Sequence, residues 1–248
     1  MVTSFLILYH FFLQFAMKSI ERYATMGDMK IEGGFGMKLY FVRHGETDWN
    51  KARKIQGQVD IPLNEFGRML AKKTAKGLAD IPFTVCYTSP MGRAKETAEL
   101  ILAGRDVPIV IDERIVEMGF GEYEGKCCSK KGWELPDNFH CFFTDPVNYI
   151  APKGGEGFAD VKKRTGDFLE ELYQKEEYKD SNILITTHGA ALAGLLNNIK
   201  KRPLAEYWGV GVHKNCAVTE VLVEEGVPRI IFENKVYYDD VTEPWEDL

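Results

Sequence analysis

Short runs of apolar, mostly β-branched or aromatic residues recur along the chain, and longer stretches with apolar residues every three or four positions separate them. The short runs predict buried strands, and the longer stretches predict helices that pack on them. The predicted strands are residues 38–42, 84–88, 109–111 and 182–186, and the predicted helices are residues 65–76 (with Asn64 as N-cap), 91–102, 158–173 and 190–200. The alternation of the two predicts an α/β domain with a mostly parallel sheet.

The last part of the chain departs from this alternation. Residues 217–223 and 229–232 are two apolar runs on either side of Glu224-Glu225-Gly226, which predicts a β-hairpin. The hairpin would place antiparallel strands beside the parallel ones, so we expect a mixed sheet.

Two segments do not fit either pattern. Within residues 1–36, the apolar run 5–17 is too short to span a bilayer and lacks the basic start and cleavage site of a secretory signal. We expect the domain to occupy residues 37–248, after an extension that is either an upstream translation product or a weak membrane-surface anchor. Residues 127–155 are irregular and rich in aromatic residues, which predicts a cap-like insertion that selects substrate; surface packing of a long loop is the alternative.

Composition narrows the class of protein. A length of 248 residues suits one domain, and a net charge of −6 disfavours a nucleic-acid surface, which needs a basic stripe. The five cysteines lack the spacing of a disulfide framework or zinc site, so we expect a cytoplasmic protein. Cys86 and Arg93 are separated by six residues, one more than in the loop of thiol phosphatases, so Cys86 is expected in a buried strand.

Candidate chemistry begins with RHGETDWN at residues 43–50, where the first predicted strand ends. Arg43 offers a planar fork for phosphate oxygens, and His44 offers a ring nitrogen that can attack phosphorus. Gly45 permits the backbone to pass close to an anion or to adopt a positive φ. The alternative is a surface loop whose histidine caps a helix.

A second histidine, His188, follows the strand 182–186 in the same way. The carboxyl ends of parallel strands share one edge of the sheet, so we expect His44 and His188 to face one cleft although 144 positions separate them. A satisfied core histidine is the alternative for His188. Arg93 lies in the first turn of a predicted helix, where free amides and the helix dipole favour an anion.

The complete set of motifs, RHGETDWN, SPMGRAKETAEL, DERIVEMGFGEYEGK and ITTHGAALAG, resembles the histidine phosphatase superfamily, also called phosphoglycerate-mutase-like. The resemblance runs from about Lys38 to Phe232. It implies a three-layer α/β/α sandwich with a mostly parallel mixed sheet. It also implies the roles of individual residues: His44 as nucleophile, Arg43, Arg93 and His188 as the phosphate clamp, and Glu117 as proton donor.

Other polar residues have weaker assignments. Asn50 and Gln56 match positions that often line the phosphate pocket in the family, and hydrogen bonding within the loop is the alternative. His140 and His213 match no catalytic motif and are interpreted as structural or close to the substrate. The glycine spacing of GFGEYEG does not fit a dinucleotide fingerprint.

The resemblance implies a metal-independent phosphomonoester hydrolase that acts on small phosphorylated metabolites through a phosphohistidine, with no cofactor. A bisphosphoglycerate-dependent phosphoglycerate mutase is the alternative on the same fold, and a noncatalytic phospholigand-binding module is the alternative of another class. No stable membrane insertion is expected, and a homodimer through the hairpin edge stays open.

Overall fold

The computed structural model describes residues 36–239. Within this range six strands form one sheet in the order β3-β2-β4-β1-β5-β6. The strands are β1 Met37–Arg43, β2 Phe83–Thr88, β3 Ile109–Ile111, β4 Asn182–Thr187, β5 Val218–Glu224 and β6 Val227–Lys235. Strands β1 to β4 are parallel to one another, whereas β5 is antiparallel to both β1 and β6. The predicted mixed, mostly parallel sheet is confirmed.

The predicted helices are present, and their ends differ from the predicted ones by no more than one residue. Two further helices have only four and five residues, too few for a hydrophobic repeat to reveal. The α-helices of the described chain are α1 Asp48–Lys51, α2 Glu65–Gly77, α3 Gly92–Ile101, α4 His140–Thr144, α5 Phe158–Tyr173 and α6 Gly189–Ile199. Asn64 caps α2 as predicted, since its side chain accepts a hydrogen bond of 2.8 Å from the Gly67 amide.

Alternate residues of the central strand β1 face opposite layers. Leu39 and Phe41 belong to a core that includes α5 and α6. Tyr40 and Val42 belong to a second core that includes α3 and Leu78, the residue that follows α2. The sheet therefore lies between two helical layers, as the resemblance implies. Cys86 is fully buried in β2, as predicted, and burial raises the pKa of its thiol to about 12.

The terminal hairpin is longer than predicted. Its second strand, β6, has nine residues instead of four, because polar residues beyond Phe232 continue the pairing with β5. Glu225 and Gly226 join the strands, both at positive φ (51° and 75°), as a tight type I′ connection requires.

The insertion 127–155 contains a short 3₁₀ helix, Asp137–Phe139, followed by α4. Its buried aromatic residues form a small core with the start of α5 and with residues 204–208. The Nε1 of Trp208 donates to the carbonyl oxygen of Phe142 at 2.6 Å, which fixes these segments to each other. The insertion is therefore packed rather than loose, and its role as a cap stays a prediction.

The predicted extension lies outside the described residues except for Gly36. In the described part of the chain, no helix has the length and apolarity that crossing a membrane requires.

Candidate active site

The carboxyl ends of β1 and β4 bring the two histidines together. These strands are parallel neighbours with Arg43 opposite Thr187, so His44 and His188 follow adjacent strand ends. The amide of His44 donates to the carbonyl of Thr187 at 2.9 Å, and the two ring centroids lie 5.2 Å apart. The two histidines are far apart in sequence but close in space because parallel strands end at the same edge of the sheet.

The His44 ring has one nitrogen committed to the backbone. Its Nδ1 lies 2.7 Å from the carbonyl oxygen of Gly45, and since a carbonyl only accepts, Nδ1 carries the proton. Burial, followed by the charges of Arg93 and Arg43, holds the pKa of His44 well below its usual value. The ring is therefore neutral at physiological pH, and its Nε2 lone pair is available to an electrophile.

The His188 ring is held by a serine. Its Nε2 lies 2.7 Å from the Oγ of Ser89, whereas its Nδ1 is buried with no hydrogen-bond partner among the described residues. Burial, followed by the charge of Arg93, lowers the pKa of His188 well below its usual value. A buried, unpartnered ring nitrogen beside the His44 ring is a group that a bound anion can satisfy.

Two buried guanidinium groups supply positive charge. The Nη1 of Arg43 donates to the carbonyl of His213 at 2.6 Å. Burial lowers the pKa of Arg43 to about 10, so it stays charged at neutral pH. Arg93 is fully buried, and burial also lowers its pKa.

The loop 57–59 holds Arg93 in position. The two Nη atoms of Arg93 donate to the carbonyls of Val59 and Gly57 at 2.8 and 2.7 Å. The carboxylate of Glu124 accepts the amides of Gln58 and Val59 at 2.9 and 3.1 Å from the other side of the same loop. The Nε of Arg93 is buried without a hydrogen-bond partner in the described structure, which leaves a charged donor for an anion.

Glu117 lies at the amino end of α6. Its Oε1 accepts the amides of Met118, Ala190 and Ala191 at 2.9–3.1 Å, whereas its Oε2 has only a longer contact of 3.3 Å with the amide of Ala190. A Cβ built on Gly189 would lie 3.7 Å from both Glu117 Oε2 and Arg43 Nε. Glu117 and Arg43 therefore converge at the start of α6, and Oε2 is the less engaged of the two Glu117 carboxyl oxygens.

The free amides at the start of α3 were expected to favour the ligand anion, and the structure shows a different arrangement. At α3, the amide of Gly92 donates to both carboxylate oxygens of Asp60 at 2.9 and 3.0 Å, while Glu117 occupies the first amides of α6. Both helix starts are thus occupied by carboxyl groups of the chain itself. The amides of Gly92, Ala190 and Ala191 are not available to a phosphoryl group in this structure.

Gly45 is required for close packing rather than for a positive φ. It is not among the residues with positive φ, and a Cβ on it would lie 2.7 Å from the carbonyl oxygen of Gly67. A Cβ on Gly67 would in turn lie 2.2 Å from the carbonyl oxygen of Glu46. The loop after β1 therefore rests backbone to backbone on the first turn of α2.

Asn50 and Gln56 share a local network around Thr47. The amide of Thr47 donates to Asn50 Oδ1 at 3.1 Å, and its Oγ1 lies 2.9 Å from Gln56 Oε1. The loop hydrogen bonding considered from sequence is thus present for both residues, and phosphate contact stays a prediction. Asn215, which sequence reasoning missed, donates from Nδ2 to the carbonyl of His44 at 2.8 Å.

Ser89 was also missed by the sequence reasoning, although its position just after β2 places it at the same edge of the sheet.

The two remaining described histidines lie apart from this site. His140 is exposed and stacks on Trp133 at 4.1 Å, and the ring of His213 contacts Glu233 and Thr219. Among residues 36–239, no group of three or more His, Cys, Asp or Glu side chains is placed to hold a metal ion.

Two histidines and two guanidinium groups are buried together at the carboxyl edge of an α/β sheet, and such an arrangement of donors and positive charge suits an anion. Residues 39–235 match the model of the histidine phosphatase superfamily, branch 1. The chain therefore belongs to the histidine phosphatase superfamily, and it is an enzyme of the phosphatase class.

Individual relatives agree with this membership. An adenosylcobalamin/alpha-ribazole phosphatase of Salmonella typhimurium is 34% identical over 181 residues, which cover 73% of this chain and 88% of that one. A metal-independent phosphoserine phosphatase of Arabidopsis thaliana is 33% identical over 171 residues, 68% of this chain and 70% of that one. The solved structure of YhfR from Bacillus stearothermophilus is similar with a TM-score of 0.74 and 37% identity, and the match covers 80% of this chain and 97% of that chain.

Proposed function

We propose that the chain is a metal-independent phosphomonoesterase that forms a phosphohistidine on His44 and acts on small phosphorylated metabolites. The observation that carries this proposal is the His44 ring, neutral and with its proton committed to the Gly45 carbonyl. Its Nε2 lone pair lies in a cluster with Arg43, Arg93 and His188, which suits attack on an anionic phosphoryl group.

In the first half-reaction, Nε2 of His44 attacks phosphorus and the bond from phosphorus to the ester oxygen breaks. Arg43, Arg93 and the Nδ1–H of His188 stabilise the charge on the nonbridging oxygens, which is the main requirement of phosphoryl transfer. Protonated Oε2 of Glu117 gives its proton to the leaving oxygen. The products of this step are the free alcohol, the phosphohistidine and the Glu117 carboxylate.

In the second half-reaction, the Glu117 carboxylate takes a proton from water, whose oxygen attacks the phosphohistidine. The bond from phosphorus to Nε2 breaks, inorganic phosphate leaves, and both Glu117 and His44 return to their starting states. The cationic side chains of this cluster perform the charge stabilisation that a metal ion supplies in other phosphatases. A metal-independent relative supports this assignment.

Small phosphorylated metabolites are proposed as substrates because the relatives' names specify phosphoserine and alpha-ribazole phosphatases. We place the protein in the cytoplasm, since its described cysteines are free and several are fully buried thiols.

The experiment is phosphate release from a panel of phosphomonoesters in the presence of EDTA, combined with rapid-quench mass spectrometry of the peptide that carries His44. We expect release with EDTA present and a phosphoryl group on His44. The His44→Ala variant should lose both, whereas His140→Asn, a change in an exposed histidine, should keep the phosphorylated peptide.

Glu117→Gln tests the acid role separately. We expect a loss of about 100-fold or more on alkyl phosphates, and a much smaller loss on 4-nitrophenyl phosphate, whose leaving group needs little protonation. Equal losses on both substrates would remove the acid role.

Two other outcomes would favour the alternative functions. Phosphoglycerate interconversion after bisphosphoglycerate priming, without phosphate release, would favour the mutase. Binding of vanadate without turnover on any monoester would favour the noncatalytic module.

A further inference from the structure

A partly buried ion pair encloses the backbone that carries Glu117. Arg164, on α5, donates from Nε and Nη2 to the two carboxylate oxygens of Glu156 at 2.9 and 3.1 Å. Their side chains are 16% and 25% exposed. This two-point geometry fixes both the distance and the plane of the pair, unlike a typical surface ion pair.

Both members of the pair also bind the segment 116–119. The Nη1 of Arg164 donates to the carbonyl of Val116 at 2.7 Å, on one side of Glu117. The Oε2 of Glu156 accepts the amide of Gly119 at 2.9 Å, on the other side. One ion pair thus holds the residue before Glu117 and the second residue after it.

Neighbouring contacts complete this arrangement. The Nε2 of Gln58 donates to the carbonyl of Glu117 itself at 3.0 Å and lies 3.4 Å from Glu156 Oε2. The backbone amide of Glu156 donates to the carbonyl of Gly119 at 2.9 Å. The carbonyls of Val116 and Glu117 and the amide of Gly119 are therefore held by side chains that form no hydrogen bond with the Glu117 carboxyl in the described part of the chain.

We propose that Glu156 and Arg164 are positioning residues for the acid, which hold the Glu117 carboxyl where its Oε2 can reach the leaving oxygen. This inference rests on the proposed function, in which Glu117 is the proton donor. Proton transfer requires hydrogen-bond distance, and a displacement of about 1 Å is enough to cost on the order of 100-fold in rate. Glu156 directly follows the insertion 127–155, so the pair also joins that insertion to the acid.

The test is Glu156→Gln, which keeps the size and an acceptor oxygen but removes the charge that holds Arg164. We expect kcat for the best alkyl phosphate of the panel to fall about 10-fold or more, and kcat for 4-nitrophenyl phosphate to fall less than about 3-fold. The Kd of vanadate should stay within about 2-fold, because the Arg43, Arg93 and His188 clamp is intact. A merely structural role would lower both substrates equally or weaken vanadate.

A double-mutant cycle separates positioning from independent damage. In the Glu117→Gln background, adding Glu156→Gln should cost less than about 2-fold on the alkyl phosphate, because no acid is left to position. Full additivity of the two losses would overturn the inference.

Two further variants keep the test decisive. Arg164→Lys retains the positive charge but not the two-point contact with Glu156. We expect the same selective loss of kcat on the alkyl phosphate, to a smaller degree. This variant serves as the test if Glu156→Gln does not fold. Lys163→Gln removes a charge from the adjacent position of α5, where the side chain is 77% exposed, and should leave both substrates unchanged. A loss in Lys163→Gln equal to that in Arg164→Lys would overturn the inference.

The outcome for Glu117→Gln alone distinguishes the two levels of the proposal. If that variant is unselective between leaving groups, the acid role fails and this inference fails with it. If Glu117→Gln is selective and Glu156→Gln is not, only the positioning role is overturned.

Discussion

The Oγ of Ser89 and the Nε2 of His188 lie 2.7 Å apart in a fully buried environment. The amide of Met91 donates to Ser89 Oγ at 3.3 Å, and we expect the hydroxyl proton of Ser89 to be donated to Nε2 of His188. A neutral ring that accepts at Nε2 carries its proton on Nδ1, which is the nitrogen without a partner in the described chain. With its hydroxyl as the donor, Ser89 favours the tautomer in which His188 can donate to a phosphoryl oxygen.

Ser89→Ala is expected to weaken vanadate binding about 5- to 10-fold, because it removes one hydrogen bond and the preference for the Nδ1–H tautomer. Isothermal titration gives the Kd, and ¹⁵N chemical shifts of the His188 ring report the tautomer. An unchanged Kd together with an unchanged tautomer would contradict this role of Ser89.

The lowered pKa values of His44 and His188 predict that the folded protein loses stability as the pH falls. At pH values below about 6.5, these histidines are protonated in the unfolded chain but not in the folded chain, until the pH reaches the lowered pKa of each histidine. The free energy of unfolding should therefore decrease below pH 6.5, by up to about 1.4 kcal/mol per pH unit for each histidine.

Urea denaturation between pH 8 and 5 measures this dependence. His44→Asn and His188→Asn should each make the decrease below pH 6.5 shallower, whereas His140→Asn, at an exposed position, should leave it unchanged. A slope that neither buried substitution alters would show that these two groups are not its source.

Gly67→Ala is expected to destabilise the protein although alanine normally favours a helix. Its Cβ would lie 2.2 Å from the carbonyl oxygen of Glu46, so the loop that carries His44 must move. We expect a loss of about 1–3 kcal/mol and a fall in kcat/KM on every substrate, measured by urea denaturation and phosphate release. In Gly166→Ala, inside α5, the nearest atoms to the new Cβ belong to the side chain of Asn198, at 3.3 Å and beyond, so the loss should be milder. The reverse order would refute the close packing of Gly67.

Glu233→Gln is expected to weaken the link between the hairpin and Arg43. The carboxylate of Glu233 contacts His213 at 3.3 Å and Lys200 at 2.5 Å, and His213 accepts from Arg43 through its carbonyl. The hydrogen bond from His213, and then that from Lys200, lowers the pKa of Glu233 from 4.5 to about 2.

A lowered carboxyl pKa contributes stability above pH 4.5 and loses it as the pH falls towards 2. Glu233→Gln should therefore cost about 1–3 kcal/mol at pH 7, and the difference from the unaltered protein should shrink as the pH falls below about 4.5. Urea denaturation at pH 7 and pH 3 tests both statements. A difference that is equal at the two pH values would show that the charge of Glu233 is not involved.

Much of the fold could be predicted from local pattern. The strand and helix periods placed the main elements within a residue, because burial of alternate strand positions and of one helix face leaves a direct mark on the sequence. The short α1 and α4 left no such mark, and the nine-residue length of β6 depends on pairing with β5, which polar residues join as readily as apolar ones.

The fold class, the family and the two histidines at strand ends followed from the sequence alone, since strand direction and the carboxyl-edge rule require only local information. The three-dimensional arrangement was needed to identify the polar groups that already have partners within the chain. It showed that Asp60 and Glu117 occupy the helix amides, that Gly45 rests on Gly67, and that Ser89 and Asn215 support the histidines. These contacts join residues from 22 to 171 positions apart, and hydrogen bonding over such separations depends on atomic geometry that local patterns do not encode.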